Sequence, residues 1–378
     1  MIEHIVIFYG SKKDFETVLA ERINEDDNTI PFMHLIQHYN ARLRPNESGV
    51  RETQLAQSIV VDNCIVRTED YSSVLEHVIS NFVNIVCLNH DVGTLYMNNP
   101  PKRVVSSLAS VYPNEIEYLE SDYQNINRDN LKGIFKNLCD DILGQEECKR
   151  DIVSGLYKLT ASSINRPVVL MLYGPSGVGK TESAKSISEA LGGGLLRIQF
   201  SMMQTSEAYN YVFGAEHSKS SFARDLISRE SNVILIDEFD KVSQNFYNAF
   251  YELFDEGRYV DINYDVDLRR SVFFCTCNYS NEDEIKKMLG PAMFSRIGCC
   301  IEYKELGVAE KHIIIEKWYN EILNRIEDDE KVVIEKTDIL KWFKENAVRY
   351  DNIRTLKTKL EKAIFDELTD TFIITPGN

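Results

Sequence analysis

Eight consecutive residues have the composition of a loop that binds phosphate. They follow an apolar run at 168–173 that is short, continuous and rich in β-branched residues, which predicts a buried strand. A helical pattern follows at 183–191 and ends at three glycines. In this order of strand, turn and helix, glycines let backbone N–H groups converge on an anion, and the helix start adds a positive dipole end. This phosphate loop consists of Gly174, Pro175, Ser176, Gly177, Val178, Gly179, Lys180 and Thr181.

The last two residues of the phosphate loop would reach the phosphates and their metal ion. Lys180 is placed to contact β- and γ-phosphates, and the hydroxyl of Thr181 to ligate Mg²⁺. The alternative is a glycine-rich turn that binds nothing. All eight positions and both flanks fit the phosphate-binding pattern, so the sequence favours the first interpretation.

Two adjacent acids, Asp237 and Glu238, follow an apolar run at 233–236. Such a run predicts a central strand that delivers carboxylates to the carboxyl edge of a sheet, where ligands bind in α/β folds. Asp237 would hold the Mg²⁺ shell, commonly through water, and Glu238 would polarise the attacking water. Acidic pairs after strands are common, so the pair alone is moderate evidence for a metal site. Its position about 57 residues after Lys180 makes the evidence strong.

Three polar residues further along the chain also occupy suggestive positions. Asn278 follows a third predicted strand, 271–276, where its amide could lie between the attacking water and the γ-phosphate; a turn residue at a strand end is the alternative. Arg296 follows a helix start at Pro291. Arg354 lies near the start of the last helix, whose apolar residues share one face: Ile353, Leu356, Leu360, Ile364 and Leu368.

The charge of the chain limits the classes of partner. The net charge is −17 over 378 residues; residues 1–125 contain 9 basic and 18 acidic residues, and the remainder 33 and 41. Acidity in both parts argues against a broad nucleic-acid surface, although not against a local basic channel. No apolar run approaches a membrane span and no signal peptide pattern opens the sequence, so we expect a soluble cytoplasmic protein without a membrane partner.

The cysteines and histidines offer little sign of a metal site. Eight cysteines show no paired CxxC spacing, and buried free thiols are favoured over zinc or disulfide roles. His34 and His38 lie one helical turn apart, which would suit a metal, but no carboxylate or thiol follows at a useful spacing. A solvated or packed pair is the preferred interpretation.

The pattern of elements divides the α/β chain into three predicted parts. Residues 1–125 predict a small α/β domain, with strands near 5–9, 58–61 and 85–88, helices near 14–24 and 71–82, and no catalytic constellation. A polar run at 121–130 is the candidate linker. From about residue 131 the pattern predicts a nucleotide-binding part, and the tail that follows it is helical.

With these motifs in view, residues 131–378 resemble the AAA+ ATPases, and within them the Clp-type unfoldase module. The resemblance covers about two-thirds of the chain and leaves residues 1–125 unassigned. It implies a P-loop AAA+ parallel sheet flanked by helices at 131–305 and a small C-terminal helical lid at 306–378. It also implies hydrolysis of ATP with Mg²⁺ as the cofactor. The segments that carry it are 174–181, 233–241 (VILIDEFDK), 250–261 and 294–297.

The resemblance also implies roles for individual residues. Gly144 and Gln145 match the stretch that lines the adenine pocket, and Asn278 matches the first sensor. Arg296 matches the arginine finger that acts on the nucleotide of a neighbouring subunit, and Arg354 looks like the second sensor, which reaches the γ-phosphate from the lid. A finger that acts on a neighbour implies a homo-oligomer, in this family usually a hexamer.

One departure from the family pattern leaves the biological role open. Clp-type modules that thread polypeptides carry a glycine–aromatic–apolar–glycine pore loop, whereas here 213–215 are followed by the polar residues 216–221. Tyr209, Tyr211 or Phe213 could substitute. The expected function is an ATPase that remodels a protein partner recognised by residues 1–125. The alternative is an ATP-switched assembly component, for example in signalling or defence, and a nucleic-acid remodeller is disfavoured by the charge.

Overall fold

A computed structural model describes residues 2–43, 59–161, 163–200, 206–215 and 219–374. Two parallel five-stranded sheets, each accompanied by helices, organise the described residues up to 302, and further helices follow. The predicted α/β class is therefore confirmed, as are the small α/β unit before the nucleotide-binding sheet and the helices after it. Among the described helices, none is both long and apolar enough to cross a membrane.

The first sheet has the order β2–β3–β4–β1–β5, with every strand pair parallel. Its strands are β1 (His4–Tyr9), β2 (Thr29–Pro31), β3 (Val60–Val66), β4 (Asp91–Asn98) and β5 (Ile116–Glu120). The α-helices between them are α1 (Lys12–Arg22), α2 (Phe32–Leu43), α3 (Thr68–Ser72), α4 (Glu76–Ser80) and α5 (Lys102–Val111). The interiors of β1 and β4 are almost completely buried, which is expected of parallel strands covered by helices.

One strand predicted in this region was wrong. The apolar run at 85–88 lies in a π-helix, Val83–Leu88, which buries Val83, Ile85, Val86 and Cys87. A short apolar run does not distinguish a buried strand from a buried helical turn, because both bury nearly every residue. The strand of this region is β4, which follows directly and whose glycine and polar residues gave no clear signal.

The second sheet has the order β12–β6–β11–β8–β7, again entirely parallel. Its strands are β6 (Val168–Tyr173), β7 (Leu196–Gln199), β8 (Val233–Asp237), β11 (Val272–Thr276) and β12 (Cys299–Glu302); a separate hairpin pairs β9 (Arg258–Val260) with β10 (Asp265–Asp267). The central strands β6, β8 and β11 are buried at every position. The sheet order therefore places the ends of these three strands side by side at one edge.

Helices cover this sheet and continue to the carboxyl end. Beside the sheet lie α6 (Arg128–Asp141), α7 (Glu146–Tyr157), α8 (Lys180–Ala190), α9 (Ser206–Phe213), α10 (Phe222–Ile227), α11 (Tyr247–Glu256) and α12 (Glu282–Phe294). The C-terminal helices are α13 (Val308–Leu323), α14 (Asp328–Glu335), α15 (Ile339–Glu345) and α16 (Ile353–Thr369). All five apolar residues predicted to share one face of the last helix are buried in the core of this group.

The polar run at 121–130 is not a free linker. Helix α6 already begins at Arg128, and Asn127 caps it by accepting hydrogen bonds from two backbone N–H groups. Tyr123 packs its ring 4.2 Å from the guanidinium carbon of Arg229 and donates its hydroxyl to the Arg229 carbonyl oxygen. The run therefore packs against Arg229, which lies shortly before a strand of the second sheet. The division of the chain at 1–125, 131–305 and 306–378 stays a prediction.

Candidate functional site

The phosphate loop leaves β6 at its carboxyl end and enters α8 at Lys180. Gly174, Gly177 and Gly179 all have positive φ, at 120°, 84° and 107°, so the loop needs a conformation that other residues rarely adopt. At Gly174 the packing is equally restrictive, since a Cβ atom would lie 2.1 Å from the carbonyl oxygen of Tyr303. The sequence prediction of a strand–turn–helix around this loop is confirmed.

Replacing Gly174 with alanine is expected to weaken ATP binding about tenfold or more. Relieving the overlap with Tyr303 displaces the loop, and restoring a strained backbone costs about 1–3 kcal/mol. Titration with a fluorescent ATP analogue measures the affinity. Gly133→Ala is the matched control: a Cβ there meets no atom within 4 Å, so affinity stays unchanged and stability rises by up to about 1 kcal/mol. Unchanged affinity in Gly174→Ala would contradict this account of the loop.

Lys180 is buried and folds back over the phosphate loop. Its Nζ donates to the carbonyl oxygens of Gly174 and Pro175 and, at 3.2 Å, to Oδ1 of Asn278. Burial lowers the pKa of Lys180, an effect that nearby Asp237 opposes. An anion at the loop would therefore find a desolvated cation whose present partners are neutral oxygens.

The two predicted acids end β8, as expected, and a threonine on β11 connects them. Thr276 donates its hydroxyl to Oδ1 of Asp237 and accepts, at 2.9 Å, from the backbone N–H of Glu238. Glu238 has a positive φ of 55°, an uncommon conformation for a residue with a side chain. The strained turn directs the chain away from the strand immediately after the two carboxylates.

Two further side chains at these acids come from β7, and sequence reasoning missed both. Arg197 donates its Nε to Oδ2 of Asp237 at 3.0 Å, and Gln199 donates its amide to Oε2 of Glu238 at 3.4 Å. The cause is the sheet order, because β7 is the neighbour of β8 and Gln199 pairs in register with Asp237. No local pattern around 196–199 carries this information.

Arg354, the predicted second sensor, lies at the start of the last α-helix, close to the phosphate loop. The start of α16 packs on Gly177, whose Cβ position would be 3.4 Å from Oδ1 of Asn352 and 3.8 Å from the backbone nitrogen of Arg354. Arg354 also lowers the pKa of Lys180 through its charge, although burial is the larger cause. The structure thus brings Arg354, Asn278 and Lys180 to the same end of the sheet.

The predicted adenine-pocket residues lie beside the same loop. Ile142 packs on Gly179, with a methyl carbon 3.4 Å from the glycine's Cβ position. Gly144 and Gln145 both have positive φ, and the Gln145 amide donates to the Lys304 carbonyl oxygen at 2.6 Å. A cavity of about 270 Å³ adjoins them, lined by Gly144, Gln145, Glu146, Glu147, Cys148, Glu302, Lys304, Glu305, Leu306, Gly307 and Glu310.

Arg296 lies at the opposite end of β6 from the phosphate loop. It precedes Gly298, whose N–H donates to the Val169 carbonyl oxygen at 2.8 Å, near the start of that strand. Six strand residues span about 20 Å. Within one subunit, Arg296 is therefore far from Lys180.

Thiols and histidines make no second site among the described residues. All eight cysteines are free and five are buried; burial raises the pKa of both Cys87 and Cys277 to about 12, which disfavours thiolate chemistry. His34 is exposed, and His38 packs edge-to-face on His90 with ring centroids 5.3 Å apart. Within the part of the chain that the structure describes, no three candidate ligands form a metal cluster.

Comparison with known proteins identifies this nucleotide-binding region. The family described as AAA domain (Cdc48 subfamily) matches residues 165–329, which include the phosphate loop, the acids of β8, Asn278 and Arg296. These residues form a Clp-type AAA+ ATPase module. The match begins just before β6 and ends in the C-terminal helices.

The chaperone protein ClpB of several bacteria is similar to the AAA+ module and its flanks. The protein of Wolinella succinogenes is 25% identical over 272 residues, which cover 64% of this chain and 31% of that protein. The protein of Malacoplasma penetrans is 22% identical, covering 65% and 38%, and that of Rickettsia prowazekii is 29% identical, covering 41% and 20%. The chain thus spans between a fifth and two-fifths of the length of these relatives.

The stretch before the acids of the AAA+ module packs two partly buried aromatic residues against the core. Tyr211 donates its hydroxyl to Asp225 at 2.6 Å, and Phe213 packs against Phe246. Tyr209, in contrast, is 58% exposed. The polar residues 216–218, where the sequence departs from the family's pore loop, lie outside the described residues.

Proposed function

We propose that the chain hydrolyses ATP with Mg²⁺ as a homo-oligomer, expected to be a hexamer, and uses the energy to remodel a protein partner. The observation that carries the proposal is the meeting of Lys180, Asn278, Asp237 and Glu238 at one edge of the second sheet, beside the phosphate loop. Nucleotide phosphates need this combination of a seated cation, converging N–H groups and carboxylates.

The donor set suits Mg²⁺. The Thr181 hydroxyl and the Asp237 carboxylate are hard oxygen ligands, which Mg²⁺ prefers, and near them Oδ1 of Asp240 is buried without a hydrogen-bond partner among the described residues. Thr181 would hold the ion directly and Asp237 through water. A Mg²⁺ ion held by these residues would supply charge neutralisation at the phosphates.

The remaining steps belong to this chain's own side chains. The phosphate loop binds the phosphates through its N–H groups, and Lys180 exchanges its carbonyl partners for phosphate oxygens. Glu238 accepts the proton of the attacking water, after Gln199 has released its carboxylate, and Asn278 orients that water. Arg354 reaches the γ-phosphate from α16, which couples the C-terminal helices to the nucleotide state.

Arg296 would act on the nucleotide of a neighbouring subunit. Its own phosphate loop lies about 20 Å away at the other end of β6, so it contributes to hydrolysis only where another subunit's nucleotide approaches it. This requirement is what makes oligomerisation part of the proposed activity.

The partner is proposed to be a protein that residues 1–125 recognise. The ClpB relatives are named chaperones, which supports a protein as the substrate class. The first sheet lies outside the residues that the AAA family matches, which supports a separate role for it. An ATP-switched assembly component is the second candidate. It is favoured by the packing of Tyr211 and Phe213, which are partly buried against the core and leave Tyr209 as the exposed aromatic of α9.

Replacing Glu238 with glutamine tests the proposed hydrolysis. The amide cannot accept the proton of water, so turnover should fall about 10²–10⁴-fold while ATP still binds. Steady-state phosphate release and equilibrium ATP binding are the two measurements. Glu361→Gln, an exposed change on α16, is the control and should retain full turnover. A Glu238→Gln protein that keeps most of its phosphate release would show that another group is the base.

The ATPase response to proteins separates the two candidate functions. A remodelling enzyme that engages extended chains is stimulated by an unfolded polypeptide. An assembly component responds instead to one folded partner, which should copurify with the ATP-bound Glu238→Gln protein.

A further inference from the structure

The guanidinium of Arg296 is held on three sides by its own chain. Nε donates to Oδ2 of Asp255 at 2.8 Å, and Nη1 donates to the Ala292 carbonyl oxygen at 2.7 Å. Nη2 lies 2.7 Å from the same Asp255 oxygen in an ion pair. The guanidinium carbon lies 4.3 Å from the centroid of the Tyr251 ring. Tyr251 and Asp255 are four residues apart on α11, so they share one helix face and meet the arginine together.

These contacts leave two N–H groups of the arginine available. A guanidinium has five N–H donors, one on Nε and two on each Nη atom. The two hydrogen bonds use the Nε donor and one Nη1 donor, and the ion pair with Asp255 occupies one side of Nη2, so one donor remains on Nη1 and one on Nη2. Two neighbouring donors in a plane are what bidentate recognition of a phosphate requires.

The position of Asp255 is unfavourable for the helix that carries it. It lies in the last turn of α11, which ends at Glu256 and is capped by Gly257 in the left-handed conformation. An acid there faces the negative end of the helix dipole, and that turn contains no basic residue. The Asp255 side chain is 48% exposed and that of Arg296 is 23% exposed, so solvent screens the ion pair and limits its contribution to stability. Stability therefore does not account for an acid at this position.

The surface around Arg296 suits an anion. A cavity of about 160 Å³ adjoins it, and its charged lining residues are three cations and one acid: Lys158, Arg166, Arg296 and Asp255. The acid is already bonded to Arg296. A phosphate that approaches from another subunit would meet an excess of positive charge.

We propose that Asp255 and Tyr251 are positioning residues that hold the guanidinium of Arg296 so that its two remaining donors face a phosphate of the neighbouring subunit. This proposal rests on the proposed action of Arg296 between subunits. Asp255 fixes the plane through one edge of the guanidinium, and the Tyr251 ring supports one face. Orientation before the encounter removes the entropy that a free arginine side chain would lose in the transition state.

Kinetics of Asp255→Ala test the proposal. We expect kcat to fall about 10–100-fold, because misplacement of a catalytic group by about 1 Å costs up to about 10²-fold, while KM for ATP changes less than about twofold. Asp255→Asn keeps one acceptor and should lose less. Tyr251→Phe keeps the ring face and should retain nearly full turnover, whereas Tyr251→Ala should not. Asp265→Ala, which removes a matched exposed bidentate partner from Arg258, is the control.

A double-mutant cycle distinguishes positioning from a structural role. In an Arg296→Ala background, Asp255→Ala should cause no further loss of kcat, since there is no arginine left to orient. An equal additional loss, or wild-type turnover in Asp255→Ala while Arg296→Ala is slow, would overturn the proposal. Full activity in Arg296→Ala itself would instead refute the proposed role of that arginine between subunits.

Discussion

Arg296→Ala is expected to lower ATP turnover by about 10³-fold or more while ATP affinity stays nearly unchanged. An arginine that stabilises charge in the transition state of phosphoryl transfer contributes in this range, and it adds little to ground-state binding. The wild-type protein should also show specific activity that rises steeply with protein concentration until the oligomer forms. Phosphate release across a concentration series, with oligomeric state followed by light scattering, measures both effects.

Mixed oligomers separate this result from misfolding. Arg296→Ala subunits combined with Glu238→Gln subunits should recover some hydrolysis, because an intact Arg296 then faces an intact Glu238 at some interfaces. Arg258→Ala removes another arginine that is ion-paired to an aspartate and should leave turnover unchanged. Concentration-independent turnover by a strictly monomeric protein would assign Arg296 to a surface ion pair with Asp255 and nothing more.

Lys180→Ala is expected to abolish nucleotide binding. The lysine is buried and folds back over the phosphate loop, where its ammonium donates to two loop carbonyl oxygens. Alanine at this position would leave the negative charge of the phosphates without its main counter-ion. Equilibrium titration with a fluorescent ATP analogue measures the loss. Lys185→Ala changes an exposed lysine on the same helix and should bind normally. Unchanged affinity in Lys180→Ala would refute the phosphate loop as the nucleotide site.

The parts of the site that the sequence predicted are those encoded in contiguous residues. Residues 174–181 combine their own turn, helix start and cation, and the acids of β8 follow directly on their apolar strand. The roles of Asn278, Arg296 and Arg354 remain predictions. The structure supplies the distances that make them testable, above all the contact between Asn278 and Lys180.

The parts that could not be predicted depend on sheet order and packing. Arg197 and Gln199 reach the acids because β7 lies beside β8, and Tyr303 restricts Gly174 across the sheet edge. Neither contact can be predicted from the residues next to it in the sequence. In the first sheet, the run at 85–88 was taken for a strand because its apolar residues fit a helical turn equally well.

The order of the second sheet also determines when the nucleotide site comes into existence. Strand β6 is flanked by β11 and β12, which lie roughly a hundred or more residues later in the chain. Pairing strands this far apart in sequence closes a large loop, and the chain loses conformational entropy before the new contacts compensate for it. Such strand pairs therefore form late and slowly. A nascent chain that has emerged only through β8 exposes both edges of its most apolar strand, and it lacks the Tyr303 carbonyl on which Gly174 packs. ATP bound at this loop would therefore stabilise only the completed sheet, and the unpaired strand edges of the growing chain are the kind of surface that promotes aggregation.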